Sequence, residues 1–117
     1  MGIFRKTNRK GLKMNKLILP FNCNGQKLTK VSPSMFANIR AGSRNYIYAS
    51  CEFENPVEKA YIIFRQGNRE EAMLLENGTV QVPNEFVDKS FNVLVCWMSE
   101  GSTVVTNTLR VVIKGGE

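Results

Sequence analysis

Apolar and polar residues alternate along most of the chain, and Gly, Asn and Pro interrupt the alternation about every ten residues. The segment 45–53 is a clear example. One of its faces holds Ile47, Ala49, Cys51 and Phe53, and the other holds Tyr46, Tyr48, Ser50 and Glu52. A two-residue period is that of a β-strand with one buried face, so the first set is predicted to lie in a core.

Several other segments show the same period and are predicted to be strands. The first two are predicted over residues 16–23 and 26–31. Three later strands each present one apolar face: Ala60, Ile62 and Phe64; then Phe91, Val93, Val95 and Trp97; and finally Val105, Leu109, Val111 and Ile113. The strand with Trp97 is predicted to be central.

The strongest local turn signal is Asn77-Gly78, within residues 74–82. Asn-Gly readily supplies the two positive φ angles of a tight type I′ turn, so the segment predicts a β-hairpin. Pro83 ends its second strand. Asn84 is predicted to cap a single helical turn that follows.

Together these segments predict about seven or eight strands and no long helix, which is typical of an all-β, antiparallel immunoglobulin-like sandwich. The chain of 117 residues has the usual size of one domain and is long enough to bury a core without metals or disulfides.

Charge is distributed very unevenly. Residues 1–51 contain ten basic residues and no acidic one, whereas the remainder contains six basic and ten acidic residues. Six of the basic residues lie in the first sixteen positions, which predicts a basic, disordered extension over residues 1–15 ahead of a β-sandwich domain over residues 16–117. Such an extension is either a solvated tail or an arm for a negatively charged partner, namely nucleic acid, a membrane surface or an acidic protein.

The codons of the extension suggest a simpler origin. Arg9, Lys10 and Gly11 can all be encoded by purines, and Met14 follows at the distance that separates a bacterial ribosome-binding site from its start codon. We therefore expect Met14 to be the biological start and residues 1–13 to be a misassigned extension. No secretion signal is predicted, because the apolar run over residues 17–19 ends at Pro20.

Residues suited to catalysis or metal binding are scarce. The chain has no histidine, and Cys23, Cys51 and Cys96 lack the short paired spacings of a zinc site, so they are predicted to be small buried residues of a protein from a reducing compartment. The glutamates at positions 52, 54, 58, 70, 71 and 76 fall at solvent-facing positions or turns. The sequence therefore predicts no catalytic residue, no metal and no cofactor.

The outward positions of two predicted strands carry large apolar side chains: Tyr46, Tyr48, Tyr61 and Ile63. They are interpreted in three ways. They form an apolar stripe that contacts another subunit, or they are good β-formers with no further role. In the third interpretation, the tyrosines stack on nucleic-acid bases beside a basic patch formed by Arg40 and Arg44.

The run 60–68, followed by the segment 74–83, resembles small immunoglobulin-like domains of bacteriophage virion proteins from tails, baseplates and head fibres. In those domains a strand carrying a Phe precedes a polar turn, and a Gly-tipped hairpin leads to a strand that ends in Pro. The likeness covers most of residues 45–114.

The resemblance implies a non-enzymatic structural or accessory protein of the capsid, tail or head fibre, located in the virion and assembled in the cytoplasm of a bacterial host. Its partners would be other virion proteins or copies of itself, without a membrane. The alternative is a small basic nucleic-acid-binding β module.

Overall fold

The strands of the computed structural model follow the predicted alternation closely, and the structure describes residues 16–117. The expectations for residues 1–15 lie outside this part. Two single-turn 3-10 helices, Pro33–Phe36 and Asn84–Phe86, interrupt the strands. The strands of residues 16–117 are β1 (Leu17–Asn24), β2 (Lys27–Lys30), β3 (Ile39–Arg40), β4 (Ile47–Phe53), β5 (Ala60–Gln66), β6 (Arg69–Leu74), β7 (Thr79–Gln81), β8 (Phe91–Ser99), β9 (Ser102–Val105), β10 (Leu109–Val111) and β11 (Ile113–Lys114).

The strands form two main sheets. The first sheet has the order β2-β1-β4-β7, and the second has the order β10-β8-β5-β6, with β9 also paired to β8. Most pairs are antiparallel, but β1 lies parallel to β4 from Leu17 opposite Ile47 to Cys23 opposite Phe53, and β11 lies parallel to β3. The predicted all-β sandwich is confirmed.

The inner faces of both sheets contribute to one core. In β4, Ile47, Ala49 and Cys51 are buried as predicted. Phe53 packs edge-to-face on Trp97 of β8, with ring centroids 5.6 Å apart, and so joins the two sheets. The predicted core residues of β5 and β8 are likewise buried, because both strands stay extended and successive side chains point to opposite faces of the sheet.

Aromatic residues from the 3-10 helices close one part of this core. Phe86 lies 6.2 Å from Phe64 and 6.4 Å from Phe91, measured between ring centroids. Phe36 packs against Phe21 of β1 at 5.2 Å. Each helix therefore contributes one buried Phe, which fixes the position of the loop that carries it.

The Asn77-Gly78 turn forms, but the predicted hairpin does not. Asn77 and Gly78 have φ angles of 55° and 75°, and the Thr79 N–H donates to the Glu76 carbonyl at 3.1 Å. Beyond this single bridge, however, β6 pairs with β5 and β7 pairs with β4, where the Cys51 N–H donates to the Gly78 carbonyl at 2.8 Å. The turn therefore carries the chain from the second sheet to the first.

A smaller prediction, that Asn84 caps the following helical turn, was also wrong. Asn84 does not cap the helical turn with its side chain. Instead its Oδ1 accepts the Asn45 N–H at 2.8 Å. The Asn84 amide oxygen could accept either an N–H of the helical turn or the N–H of Asn45. Asn45, whose φ is 56°, presents its N–H within hydrogen-bond distance of that oxygen.

The predicted last strand is divided into β9, β10 and β11, which is one reason why the structure has more strands than expected. At the break, Thr106 accepts the Val95 N–H through its hydroxyl at 2.9 Å and donates its own N–H to the Val95 carbonyl at 3.0 Å. The register to β8 shifts by one residue across this break. Such a shift reverses the facing of side chains, so Val105 faces outward while Val111 faces the core.

Candidate contact surface on the second sheet

The register of the second sheet aligns apolar side chains into rows across its outer face. Directly paired residues of neighbouring strands point to the same side of a sheet. One row consists of Leu74, Tyr61, Cys96 and Val105, from β6, β5, β8 and β9. The next row consists of Ala72, Ile63 and Leu94. These seven residues, together with Met98 of β8, are called the apolar face below.

The apolar face is accessible to solvent over much of its extent. Met98 is 69% exposed, Val105 42% and Tyr61 40%. Leu94 lies in the centre and is only 3% exposed, although it points away from the core. The face is therefore packed in its middle and open at its periphery.

One end of the apolar face forms a groove of about 450 Å³. Tyr61, Cys96, Met98 and Thr103 line it, together with Trp97 and the charged residues Glu58 and Lys59. An apolar floor with a few polar groups at its margin can receive an apolar side chain from a partner.

The other end of the apolar face is bounded by a polar row. Arg65 lies between Glu70 and Asn92 in the register, and Arg110 follows on β10. The Arg65 Nε donates to Glu70 Oε1 at 2.8 Å. With strands about 4.8 Å apart, the apolar face covers on the order of 300–400 Å², which is the size of the largest apolar patches on soluble monomers.

The structure separates the four residues of the predicted apolar stripe. Tyr61 and Ile63 belong to the apolar face. Tyr48 points outward from the first sheet, where the Lys16 ammonium lies 4.6 Å from its ring and its hydroxyl lies 3.4 Å from Gln81 Oε1. Tyr46 precedes β4 and is 40% exposed. The four residues therefore do not form one surface, because Tyr48 belongs to the first sheet whereas Tyr61 and Ile63 belong to the second.

Polar residues dominate the outer face of the first sheet. They include Asn22 on β1, Thr29 on β2, Ser50 and Glu52 on β4, and Thr79 and Gln81 on β7. Asn22 donates to the Glu54 carboxylate at 3.1 Å. The apolar members of this face in β1 and β4 are Ile18, at 43% exposure, and the partly buried Pro20 and Tyr48.

Arg40 and Arg44 are both exposed, but they differ in their surroundings. Arg44 forms a two-pronged ion pair with Asp88, with both N–O distances 3.2 Å. Arg40 lies in β3 beside Lys114 of β11. The charge of Arg44 is therefore compensated by Asp88. Tyr48 and Tyr61 belong to different sheets, so they do not form one stacking surface beside it.

The three cysteines are not equivalent. Cys23 and Cys51 are buried as predicted, whereas Cys96 is partly exposed on the apolar face. Burial, with smaller contributions from Cys23 and Glu52, raises the pKa of Cys51 to about 12. Burial also raises the pKa of Cys23 and of Cys96. All three thiols are therefore weak nucleophiles at neutral pH, because the thiolate is the reactive form.

Within residues 16–117, no group of three or more Cys, Asp or Glu side chains is positioned to hold a metal ion. In the same part of the chain, no helix is long and apolar enough to cross a bilayer.

Sequence reasoning identified two members of the apolar face, Tyr61 and Ile63. It missed the other six: Ala72, Leu74, Leu94, Cys96, Met98 and Val105. A usable signal is present in β8, which is apolar on both faces, with Leu94, Cys96 and Met98 alternating with the core residues. A strand of that kind is typically covered on both sides. Val105 could not be found in this way, because the register shift at Thr106 assigns it to the opposite face from the one its sequence spacing predicts.

No protein-family model matches the chain, and neither the curated proteins nor the solved structures provide a match.

Proposed function

We propose that the protein is a non-enzymatic structural or accessory component of a bacteriophage virion, in the capsid, tail or head fibre, and that it acts through protein–protein contacts. The observation that carries the contact function is the apolar face. Its two uninterrupted apolar rows cross three or four strands, and a polar row borders them. A hydrophobic centre with a polar rim is the usual anatomy of a protein interface.

The size of the apolar face supports contacts that are repeated within a larger assembly. About 300–400 Å² per molecule is below the roughly 800 Å² that each partner contributes to a stable two-protein complex. In a symmetric assembly the same patch is used many times, so modest contacts add up. The location in a virion rests on the sequence resemblance of residues 45–114 to phage structural domains.

Two tyrosines of equal exposure provide a matched test. Tyr61 lies on the apolar face, Tyr46 lies just before β4 of the first sheet, and both are 40% exposed. We expect Tyr61→Glu to reduce the incorporation of the protein into purified phage particles at least ten-fold, because a buried carboxylate without a partner is costly. Tyr46→Glu should leave incorporation unchanged.

Mass spectrometry of purified particles measures both the presence of the protein and its copy number. Absence of the wild-type protein from particles would contradict the virion location. Equal incorporation of both variants would contradict the role of the apolar face. Tight and steeply salt-dependent binding of nucleic acid by a chain that begins at Met14 would instead favour the nucleic-acid-binding alternative.

A further inference from the structure

A cleft of about 480 Å³ lies beside the turn between β5 and β6. It is lined by Gln66, Gly67, Asn68, Arg69 and Lys89, and these five residues are called the basic cleft below. None of them has an apolar side chain, and two carry a positive charge. The lining therefore suits a small anion, in contrast to the groove of the apolar face, which suits an apolar side chain.

The two cations of the basic cleft are not paired with a carboxylate in the part of the chain that the structure describes. The ion pairs found there join other residues, namely Arg44 to Asp88 and Arg65 to Glu70. Two unpaired positive charges that face one cleft repel each other, and an anion bound between them reverses that repulsion into attraction.

An adjoining cavity of about 460 Å³ shares three residues with the basic cleft and also contains carboxylates. One of these carboxylates, Asp88, is neutralised by Arg44. The other belongs to Glu85, which lines the adjoining cavity but not the basic cleft. The excess of positive charge is therefore greatest inside the basic cleft.

Arg69 is held in place by contacts with the 3-10 helix Asn84–Phe86. Its Nη1 donates to the Glu85 carbonyl at 3.2 Å, and its guanidinium carbon lies 5.9 Å from the centroid of the buried Phe86 ring. A guanidinium has several further N–H donors, which remain available to a ligand. Because the side chain is already oriented, a ligand loses less binding free energy in ordering it.

The loop that carries Lys89 is fixed to the end of β5. Gln66 Nε2 donates to the carbonyls of Phe86 and Lys89, both at 3.0 Å. At the other end of this loop, the Ser90 N–H donates to the Gly116 carbonyl at 2.9 Å. The backbone at Lys89 is therefore anchored next to the turn that leads to Arg69.

The turn itself adds backbone donors to the basic cleft. Gln66 pairs with Arg69 across the turn, where Gly67 has a φ of 60°. Within residues 16–117, the N–H groups of Gly67 and Asn68 donate to no backbone or side-chain acceptor, so they are available to a ligand or to water. Successive backbone N–H groups in a turn are a common element of anion sites.

We propose that the basic cleft binds a phosphate group. The two oxygens of a carboxylate are satisfied by one guanidinium fork, whereas a phosphate has further oxygens that can accept from Lys89 and from the turn. The group belongs either to a small phosphate compound or to a nucleic-acid backbone, which present the same oxygens to the cleft. Phosphate binding here is independent of the proposed location in a virion.

NMR titration of the full chain tests the proposal, with inorganic phosphate replacing chloride at constant ionic strength. We expect saturable shifts of the Gly67 and Asn68 N–H resonances at millimolar phosphate. Lys89→Gln should raise the phosphate Kd by about five-fold or more, because it removes a charged donor. Lys59→Gln is the matched control, since Lys59 is also exposed but precedes the opposite end of β5, and it should leave the Kd unchanged.

Two outcomes of this titration contradict the proposal. One is the absence of saturable shifts at the turn, and the other is an equal change of Kd in the two lysine variants. Arg69→Lys sharpens the test because it keeps the charge and loses the guanidinium fork. It should weaken phosphate binding, and an unchanged Kd would overturn the role of Arg69 as the oriented donor.

A nucleoside monophosphate and a short single-stranded oligonucleotide identify the source of the phosphate group. Either ligand supports the proposal if it shifts the Gly67 and Asn68 resonances and if Lys89→Gln weakens its binding. Tighter binding of the monophosphate assigns the cleft to small phosphate compounds, and tighter binding of the oligonucleotide assigns it to a nucleic-acid backbone. Oligonucleotide and monophosphate shifts that are confined to residues away from the basic cleft would overturn the proposal.

Discussion

The two sheets bury equally regular inner faces, yet their outer faces differ in chemistry. On the first sheet the outward rows contain Asn, Ser, Thr and Gln residues, with few large apolar side chains. On the second sheet two outward rows are entirely apolar. An antiparallel sheet that faces water normally has polar outward positions, so the first sheet follows the usual pattern and the second departs from it. The departure locates the surface that is suited to a partner.

The difference between the sheets has its origin in β8. This strand is central in the second sheet and is apolar on both faces over most of its length. The central strands of the first sheet, β1 and β4, instead alternate between core residues and mainly polar outward residues. A single strand with apolar residues on both sides therefore changes the character of a whole sheet face.

The largest expected effect is on the free energy of unfolding, when an outward apolar side chain is truncated on each of the two sheets. Leu94 is 3% exposed on the second sheet, and Ile18 is 43% exposed on the first. Leu94→Ala should lower the free energy of unfolding by about 3 kcal/mol, because it leaves a cavity. Ile18→Ala should cost less than about 1 kcal/mol. Urea unfolding measures both, and equal losses would show that the centre of the apolar face is not packed.

The second prediction concerns alkaline pH and the inner face of the first sheet. The pKa of Cys51 rises from 9.0 to about 12 on folding, mainly through burial. A raised pKa means that its contribution to stability is complete below pH 9 and is lost as pH rises from about 9 toward 12. From pH 8 to pH 10 this single group should cost about 1 kcal/mol of unfolding free energy.

Two cysteine variants isolate that group. Cys51→Ala should reduce the loss of stability between pH 8 and pH 10. Cys96→Ala, which changes the outer face of the second sheet, should retain the loss because Cys51 is still present. Denaturant unfolding at the two pH values measures the difference, and an identical pH dependence for both variants would contradict the assignment.

The third prediction compares the reactivity of thiols on the two sheets. Cys96 is partly exposed on the apolar face, whereas Cys23 and Cys51 are buried on the first sheet. At pH 8, iodoacetamide should therefore modify Cys96 at least ten times faster, because access limits the reaction at the buried sites. Peptide mass spectrometry over time measures each rate. Equal rates would mean that iodoacetamide reaches Cys23 and Cys51 in the core as easily as it reaches Cys96 on the apolar face.

The smallest expected effect concerns the polar row beside the apolar face. Arg65 and Glu70 are about half exposed, with side-chain exposures of 47% and 55%. Glu70→Gln should change the free energy of unfolding by less than about 0.5 kcal/mol, since exposed ion pairs contribute little. A loss above about 1 kcal/mol in urea unfolding would mean that the row supports the sheet rather than only bordering the apolar face.

Local patterns determined much of the fold. The alternation in residues 45–53 correctly predicted which side chains of β4 face the core, because direction alternates strictly along an extended chain. The same argument was successful for β5 and β8. Asn77-Gly78 correctly predicted a tight turn, since both residues adopt positive φ.

The partner of each strand depended on contacts distant in sequence. The Asn77-Gly78 turn leads into a strand that pairs with β4, about thirty residues earlier, rather than with β6. For the same reason Tyr48 and Tyr61, which both face outward, lie on different sheets. Alternation distinguishes inside from outside, but it carries no information about which sheet a strand joins.

The sequence by itself determined an all-β sandwich, the core positions of its long strands and outward positions for Tyr61 and Ile63. Only the tertiary structure decided that Leu74, Cys96 and Val105 join Tyr61 in one row, and that Tyr48 belongs to the other sheet. The physical reason is that facing is set by the local geometry of each strand. The composition of a surface is set by register and strand order, which arise only when the whole chain is packed.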